Sequence, residues 1–184
     1  MAYDALFQPM KIGTMEVKNR IKMAAMGIHD AELTNPDGSY TDRGIQYFIE
    51  RAKGGVGLIP TGAMQVQNHF EADAHATTIS NAGQGYIDGM KKLTAGVHQY
   101  GAKIITQLTA GTGRQNPIWL SDASDPIGPS DGLPNVWKPS IKHRALTPEE
   151  IRKYYIEGFK KALLSLKKLV LMALKSMPFM KDIY

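Results

Sequence analysis

The run Ile104-Ile105-Thr106-Gln107-Leu108-Thr109-Ala110-Gly111-Thr112-Gly113-Arg114 is where residue type and spacing point most directly to chemistry. It reads as a buried apolar strand that delivers one polar amide, Gln107, to its C-terminal tip before the chain breaks into a glycine-rich loop. Parallel α/β proteins carry their chemistry at that end of their strands. A glutamine is costly to bury unless both its donor and its acceptor are met. A planar heterocycle with both kinds of group on one edge, such as a flavin, would meet them. A glutamine that caps loop backbone would satisfy the same requirement, and the motif alone leaves the two open.

The elements that must position this residue follow along the chain. Lys11 to Val17 predicts a short hairpin turning at Gly13-Thr14, and Ile21 to Met26 a first strand ending at Gly27. After the turn Asn35-Pro36-Asp37-Gly38, Thr41-Asp42-Arg43 opens a helix running through Ala52, with Ile45, Phe48 and Ile49 on one face. Gly54-Gly55 stops it, and Val56 to Ile59 forms a second short buried strand, which Pro60 ends early. The pattern recurs: a helix over Gly85–Tyr100, a stop at Gly101, and a third strand over Lys103–Leu108. The loop from Thr109 to Ala145 carries five of the ten prolines and both tryptophans. Thr147-Pro148-Glu149-Glu150 then begins a last helix, with Thr as cap, Pro at the first helical position and Glu three residues after the cap.

Repeated strand–helix units predict an α/β fold with a parallel sheet covered by helices. A doubly wound sheet is possible, but no G-x-G-x-x-G follows the first strand. The long loop after the third strand fits the mouth of a barrel better. With 184 residues the chain is short for a closed eight-fold barrel, which takes about 250.

Composition narrows the function classes. There is no cysteine, which excludes disulfides, thiolate catalysis and cysteine-held clusters in this chain. No apolar run reaches the length of a membrane span, and the N-terminus lacks a signal-peptide pattern, so a cytoplasmic protein is expected. The formal charge of +5 is concentrated in Ser165–Tyr184, where four lysines face one aspartate. The nearly balanced remainder offers no basic face for nucleic acid. His29 lies near the first strand's mouth loop and could face a substrate. His69, His75, His98 and His143 lack metal-ligand spacing and are expected at the surface or in loops. No nucleophile–base pair is visible, and no catalytic residue is assigned.

Four motifs occur in order: Leu6-Phe7-Gln8-Pro9, Val17-Lys18-Asn19-Arg20-Ile21, Gly54-Gly55-Val56-Gly57-Leu58-Ile59 and Gln107 to Arg114. Together they resemble the old yellow enzyme family of FMN-dependent ene-reductases, in its 2-enoate and 2,4-dienoyl-CoA reductase branch, over residues 1–164. The resemblance implies a (β/α)₈ TIM barrel, of which this chain holds about three strand–helix units, with FMN at the C-terminal mouth. It implies that Ala25, Met26 and Gly27 line the flavin ring, that Ala63 approaches it, and that Gln107 hydrogen-bonds the pyrimidine end. NAD(P)H would be the reductant and an enoate or enone the small-molecule substrate. Iron–sulfur and FAD sites belong only to longer relatives. Gly27 stands where some relatives carry a Cys or Thr that tunes the flavin, so that tuning is not implied here.

In that family the helix after the long loop leads into a fourth strand, whose two histidines hold the substrate carbonyl. Here residues 165–184 read differently. Codons chosen for Leu166–Tyr184, read one base earlier, recover A-K-E-A-G-F-D-G-V-E-I-H-A-V-H-E-G-Y-L across all 19 residues. A frameshifted, non-homologous tail is therefore expected. The same residues also carry apolar side chains at helical spacing, so a helix, continuing its predecessor or lying on a membrane surface, is the competing reading. Two functions follow: a flavin-dependent reductase of activated C=C bonds, or a non-catalytic remnant without flavin. A three-strand partial barrel has open edges, which predicts instability or self-association.

Overall fold

The structure is a computed structural model that describes residues 3–28, 32–67, 69, 70, 79, 83–111, 113 and 127–169. A single 3₁₀ turn, Asp4–Phe7, precedes the hairpin of β1 (Met10–Ile12) and β2 (Met15–Val17). The strands pair antiparallel, Met10 with Val17 and Ile12 with Met15, about Gly13 at φ +59°. Only Gly or a few small polar residues adopt that conformation readily.

Directly after β2, Lys18 and Asn19 fasten this hairpin to the layers above. The Lys18 ammonium donates to Tyr100 O at 2.7 Å and Ala52 O at 3.3 Å, placing one cation at the C-terminal ends of two helices. Asn19 is 8% exposed; its Nδ2 donates to Gly55 O at 2.7 Å and its Oδ1 accepts from Ile21 N at 3.1 Å. Gly57 must lack a side chain here, because a Cβ would lie 2.3 Å from Asn19 Oδ1.

Helix α1 (Asp42–Lys53) starts where Thr41 Oγ1 accepts from Gly44 N, and it ends at Gly54 and Gly55. Helix α2 (Gln84–His98) ends before Gly101 at φ +70°. Between them lies β3 (Leu58–Gln65), and after α2 comes β4 (Lys103–Thr109). These two strands pair in parallel, Leu58 with Lys103 through Gln65 with Thr109. Two-residue strands β5 (Ile127–Gly128) and β6 (Arg144–Ala145) pair in parallel within the long loop. A capping box then launches the last helical segment: Glu150 N donates to Thr147 Oγ1, and Thr147 N donates to Glu150 Oε2. It runs from α3 (Pro148–Glu150) through a π-helical stretch (Ile151–Ile156) into α4 (Glu157–Leu169).

The core lies on the helix side of β3 and β4. Ile45, Phe48 and Ala52 of α1, with Tyr86, Met90, Leu93 and Val97 of α2, enclose Ile59, Met64 and Val66 of β3. Ala162 and Leu166 of α4 close it. Gly158 brings α4 onto the end of β3, since a Cβ there would meet Val66 O at 2.6 Å. The helix thus continues past residue 164, and Leu166, 8% exposed, packs as a helical continuation would. Residues 170–184 of the tail lie outside the described residues.

Three expectations are corrected. The first strand shrinks to one parallel bridge, Lys22 with Leu58, flanked by hydrogen bonds from Leu58 N to Ile21 O and from Met23 N to Leu58 O. Pro60 does not end the second strand, which runs on to Gln65. A bulge accommodates it: Pro60 pairs with Ile105 and Ala63 with Gln107, so three steps on β3 face two on β4. The third strand is half-buried rather than buried, because its helix-free face carries no further layer among the described residues.

Candidate functional site

The bulge brings the site residues together. Beyond it, Met64 and Val66 point into the helix-side core, so by strand alternation Ala63 and Gln65 face the other way. Gln107 and Thr109, their register partners on β4, share that face. Ala63 and Gln107 are both exposed and directly opposed at the C-terminal ends of two parallel strands.

The third segment arrives through Gly62. A Cβ on Gly62 would lie 2.4 Å from Gly27 Cα and 2.7 Å from both Gly27 N and Met26 O. Any larger residue would push Met26-Gly27 away from the strand tips. Ala25, Met26 and Gly27 are exposed there, Met26 at 53%, so Met26 is not core packing.

The Gln107 side chain forms no hydrogen bond among the described residues, and it is exposed rather than buried. The backbone-capping role belongs to a different glutamine. Gln67, 5% exposed, donates from Nε2 to Ala110 O at 3.3 Å, and its Oε1 accepts from His69 N at 2.8 Å and Phe70 N at 3.2 Å. Gln67 therefore ties the loop after β3 to the loop after β4. Gly111 at φ +126° and Gly113 at φ +52° turn the β4 loop, with Gly111 N donating to Thr109 Oγ1 at 3.1 Å. Thr112 and Arg114 lie outside the described residues.

Two buried residues in this region carried only a faint sequence signal. Thr61, fully buried, accepts at Oγ1 from Gln107 N at 3.4 Å and donates to Gly62 O at 3.0 Å. Gln65 is 6% exposed, and its buried Oε1 has no hydrogen-bond partner among the described residues. A Pro-Thr-Gly triplet inside an apolar strand is the one hint that a bulge was due.

The histidines divide. His69 is exposed and stacks on Tyr154 at 4.0 Å between centroids and 4° between planes. Tyr154 comes from the π-helical stretch, so this stack joins the loop after β3 to the last helical segment. Arg144 lies 5.6 Å over the Phe70 ring and makes a two-pronged pair with Glu150, both contacts at 2.8 Å. That pair and the Thr147 backbone hold the Glu150 carboxyl at a pKa of about 2. His143 is not at the surface: it is 2% exposed, with Nδ1 2.9 Å from Leu133 O, because β5 and β6 wrap the loop over it. His98 ends α2 half-buried, and its pKa is lowered by desolvation and then by Lys103. His29 and His75 lie outside the described residues.

Among the described residues no cluster of three or more His, Cys, Asp or Glu could hold a metal ion, and no helix is long and apolar enough to cross a membrane. The chain is 40% identical over 157 residues to the cinnamate reductase of Clostridium sporogenes, a match that covers 83% of this chain and 23% of that protein. It is 36% identical over 128 residues to the NADH oxidase of Thermoanaerobacter brockii, covering 70% of this chain and 19% of that one. The chain thus spans about a fifth to a quarter of the length of these relatives. Its fold is similar to that of a 2-naphthoyl-CoA reductase, with a TM-score of 0.73 and 27% identity over 91% of this chain and 26% of that one. An old yellow enzyme homologue from Zymomonas mobilis gives a TM-score of 0.71 and 26% identity, covering 90% and 46%. Residues 5–164 match the NADH:flavin oxidoreductase / NADH oxidase family, and to that family the chain belongs.

Proposed function

We propose that this chain forms the first strand–helix units of a (β/α)₈ barrel and supplies the ring-binding side of an FMN site. The whole activity would be NAD(P)H-dependent reduction of activated C=C bonds in enoate- or enone-type small molecules. The observation that carries this is an exposed Gln107 amide, without a hydrogen bond among the described residues, opposed to Ala63 across β3 and β4, with Met26-Gly27 packed against the neighbouring Gly62.

The residues present fit a flavin ring. Gln107 offers a donor and an acceptor from one planar group, which suits the pyrimidine edge. Ala63 and Gly62 are small enough for a flat ring and a second backbone to come close. Ala25, Met26 and Gly27 would flank the ring on the side of the first segment. A bound flavin supplies the chemistry of taking a hydride from the nicotinamide and passing it to the double bond. The chain's own contribution is to bind and orient: Gln107 holds one edge, and Gln67 keeps the two mouth loops fixed around it.

A second reading, a non-catalytic piece that holds no flavin, is favoured by the half-buried β4. Titrating the purified protein with FMN and following the quenching of flavin fluorescence separates the two. Saturable one-to-one binding supports the flavin site. A folded protein that leaves FMN emission unchanged supports the remnant.

A further inference from the structure

We propose that Thr61 is the positioning residue of the ring site: its buried hydroxyl joins the Gln107 backbone to the Gly62 carbonyl across the β3 bulge and so sets the aim of the Gln107 amide. This rests on the reading that the mouth holds a flavin.

Three observations meet at this side chain. The register of β3 against β4 shifts between Pro60 and Ala63, and Thr61 sits inside the shift. It is fully buried, although a hydroxyl there would normally be avoided unless its hydrogen bonds are met. Its Oγ1 meets both needs at once, accepting from Gln107 N at 3.4 Å and donating to Gly62 O at 3.0 Å. The partners on either side are the residue that presents the free amide and the residue against which Met26-Gly27 is packed. One hydroxyl therefore touches two of the three segments that build the site and backs the third. A bulge re-aims side chains, and one held only by backbone would be free to slip. Valine keeps the shape and loses both bonds; serine keeps both bonds and loses a methyl group.

The test pairs amide exchange with ligand affinity. In Thr61→Val the Gln107 amide should exchange at least about tenfold faster by NMR, while core amides in α1 and α2 keep their rates. FMN should bind about 5- to 10-fold more weakly, the size of one lost hydrogen bond. Thr61→Ser should lower the thermal midpoint through its lost methyl and yet restore both Gln107 protection and FMN affinity. In a Gln107→Leu background the Thr61→Val effect on affinity should disappear, because the residue acts through Gln107. Unchanged Gln107 exchange in Thr61→Val overturns the proposal. So does a loss of FMN affinity that persists undiminished beside Gln107→Leu, or that serine fails to restore. Failure of the unaltered protein to bind FMN would instead defeat the functional reading, and the exchange measurements would still decide the role of Thr61.

Discussion

Replacing Gln107 with leucine should separate binding from folding. The side chain is exposed and makes no hydrogen bond among the described residues, so folding gains little from it. Surface substitutions of this kind usually change stability by no more than about 0.5 kcal/mol. The cost to ligand binding should be much larger. Both ends of the amide are available, and a ring edge with a donor and an acceptor would use both. At roughly 1 kcal/mol per net hydrogen bond the loss is about 2 kcal/mol, or about 30-fold in Kd. Urea denaturation and FMN fluorescence titration on the same preparations measure the two quantities. The expected result is an unchanged midpoint and slope beside a Kd raised by one to two orders of magnitude. Gln107→Glu adds a control, since it keeps acceptors, loses the donor and brings a charge. If Gln107→Leu binds FMN as tightly as the unaltered protein, the amide does not face the ring. If it unfolds at much lower urea, Gln107 is a structural residue and the reasoning from its free amide fails.

Other consequences follow from the latch and from the last helix. Asn19→Ala removes the bonds to the Gly55 carbonyl and the Ile21 N–H in a partly buried turn, and should cost about 1–3 kcal/mol in urea unfolding at constant slope; a loss under about 0.5 kcal/mol would show that water takes over both bonds. Glu150 is held at about pH 2 against an ordinary 4.5 by Arg144 and the Thr147 backbone, so its contribution is complete above pH 4.5 and is lost as pH falls through 2. Following the Glu150 carboxyl by NMR should place its midpoint near 2, and Arg144→Met should move it back toward 4.5; a midpoint near 4.5 in the unaltered protein would mean the pair is not formed in solution.

What was legible in the sequence was set by local chemistry. The Gly13 turn, the Thr41 cap, the Gly101 stop and the Thr147–Glu150 capping box are each decided by a few adjacent residues, and the structure has them all. The paired helices were equally readable, because Ile45 and Phe48, like Met90, Leu93 and Val97, recur at the helical period. What escaped depended on neighbours far along the chain. Pro60 looked like a strand end because a ladder has no use for a residue without N–H, but a bulge needs no bond there, and β4 supplies the register shift that makes one. His143 reads as a loop residue and is in a loop, yet β6 beside it pairs with β5, well before it in the chain, and the residue is buried.

At Gln107 the local sequence fixes the place on the strand but not the surroundings. Its placement at a strand tip follows from the apolar run before it and the glycines after it. The apolar run predicts a buried amide, and the residue is exposed because β4 is only half-buried. A buried glutamine must find partners inside the protein, as Gln67 does, and is then spent on backbone. Gln107, exposed and without a side-chain hydrogen bond among the described residues, is not spent in that way. The V-K-N-R-I motif is informative for a related reason: its lysine and asparagine bond the ends of α1 and α2 and so fasten the segment that leads to Met26-Gly27. The resemblance therefore rested on two kinds of residue, those that would touch a flavin and those that hold the first kind in place, and sequence alone does not sort one from the other.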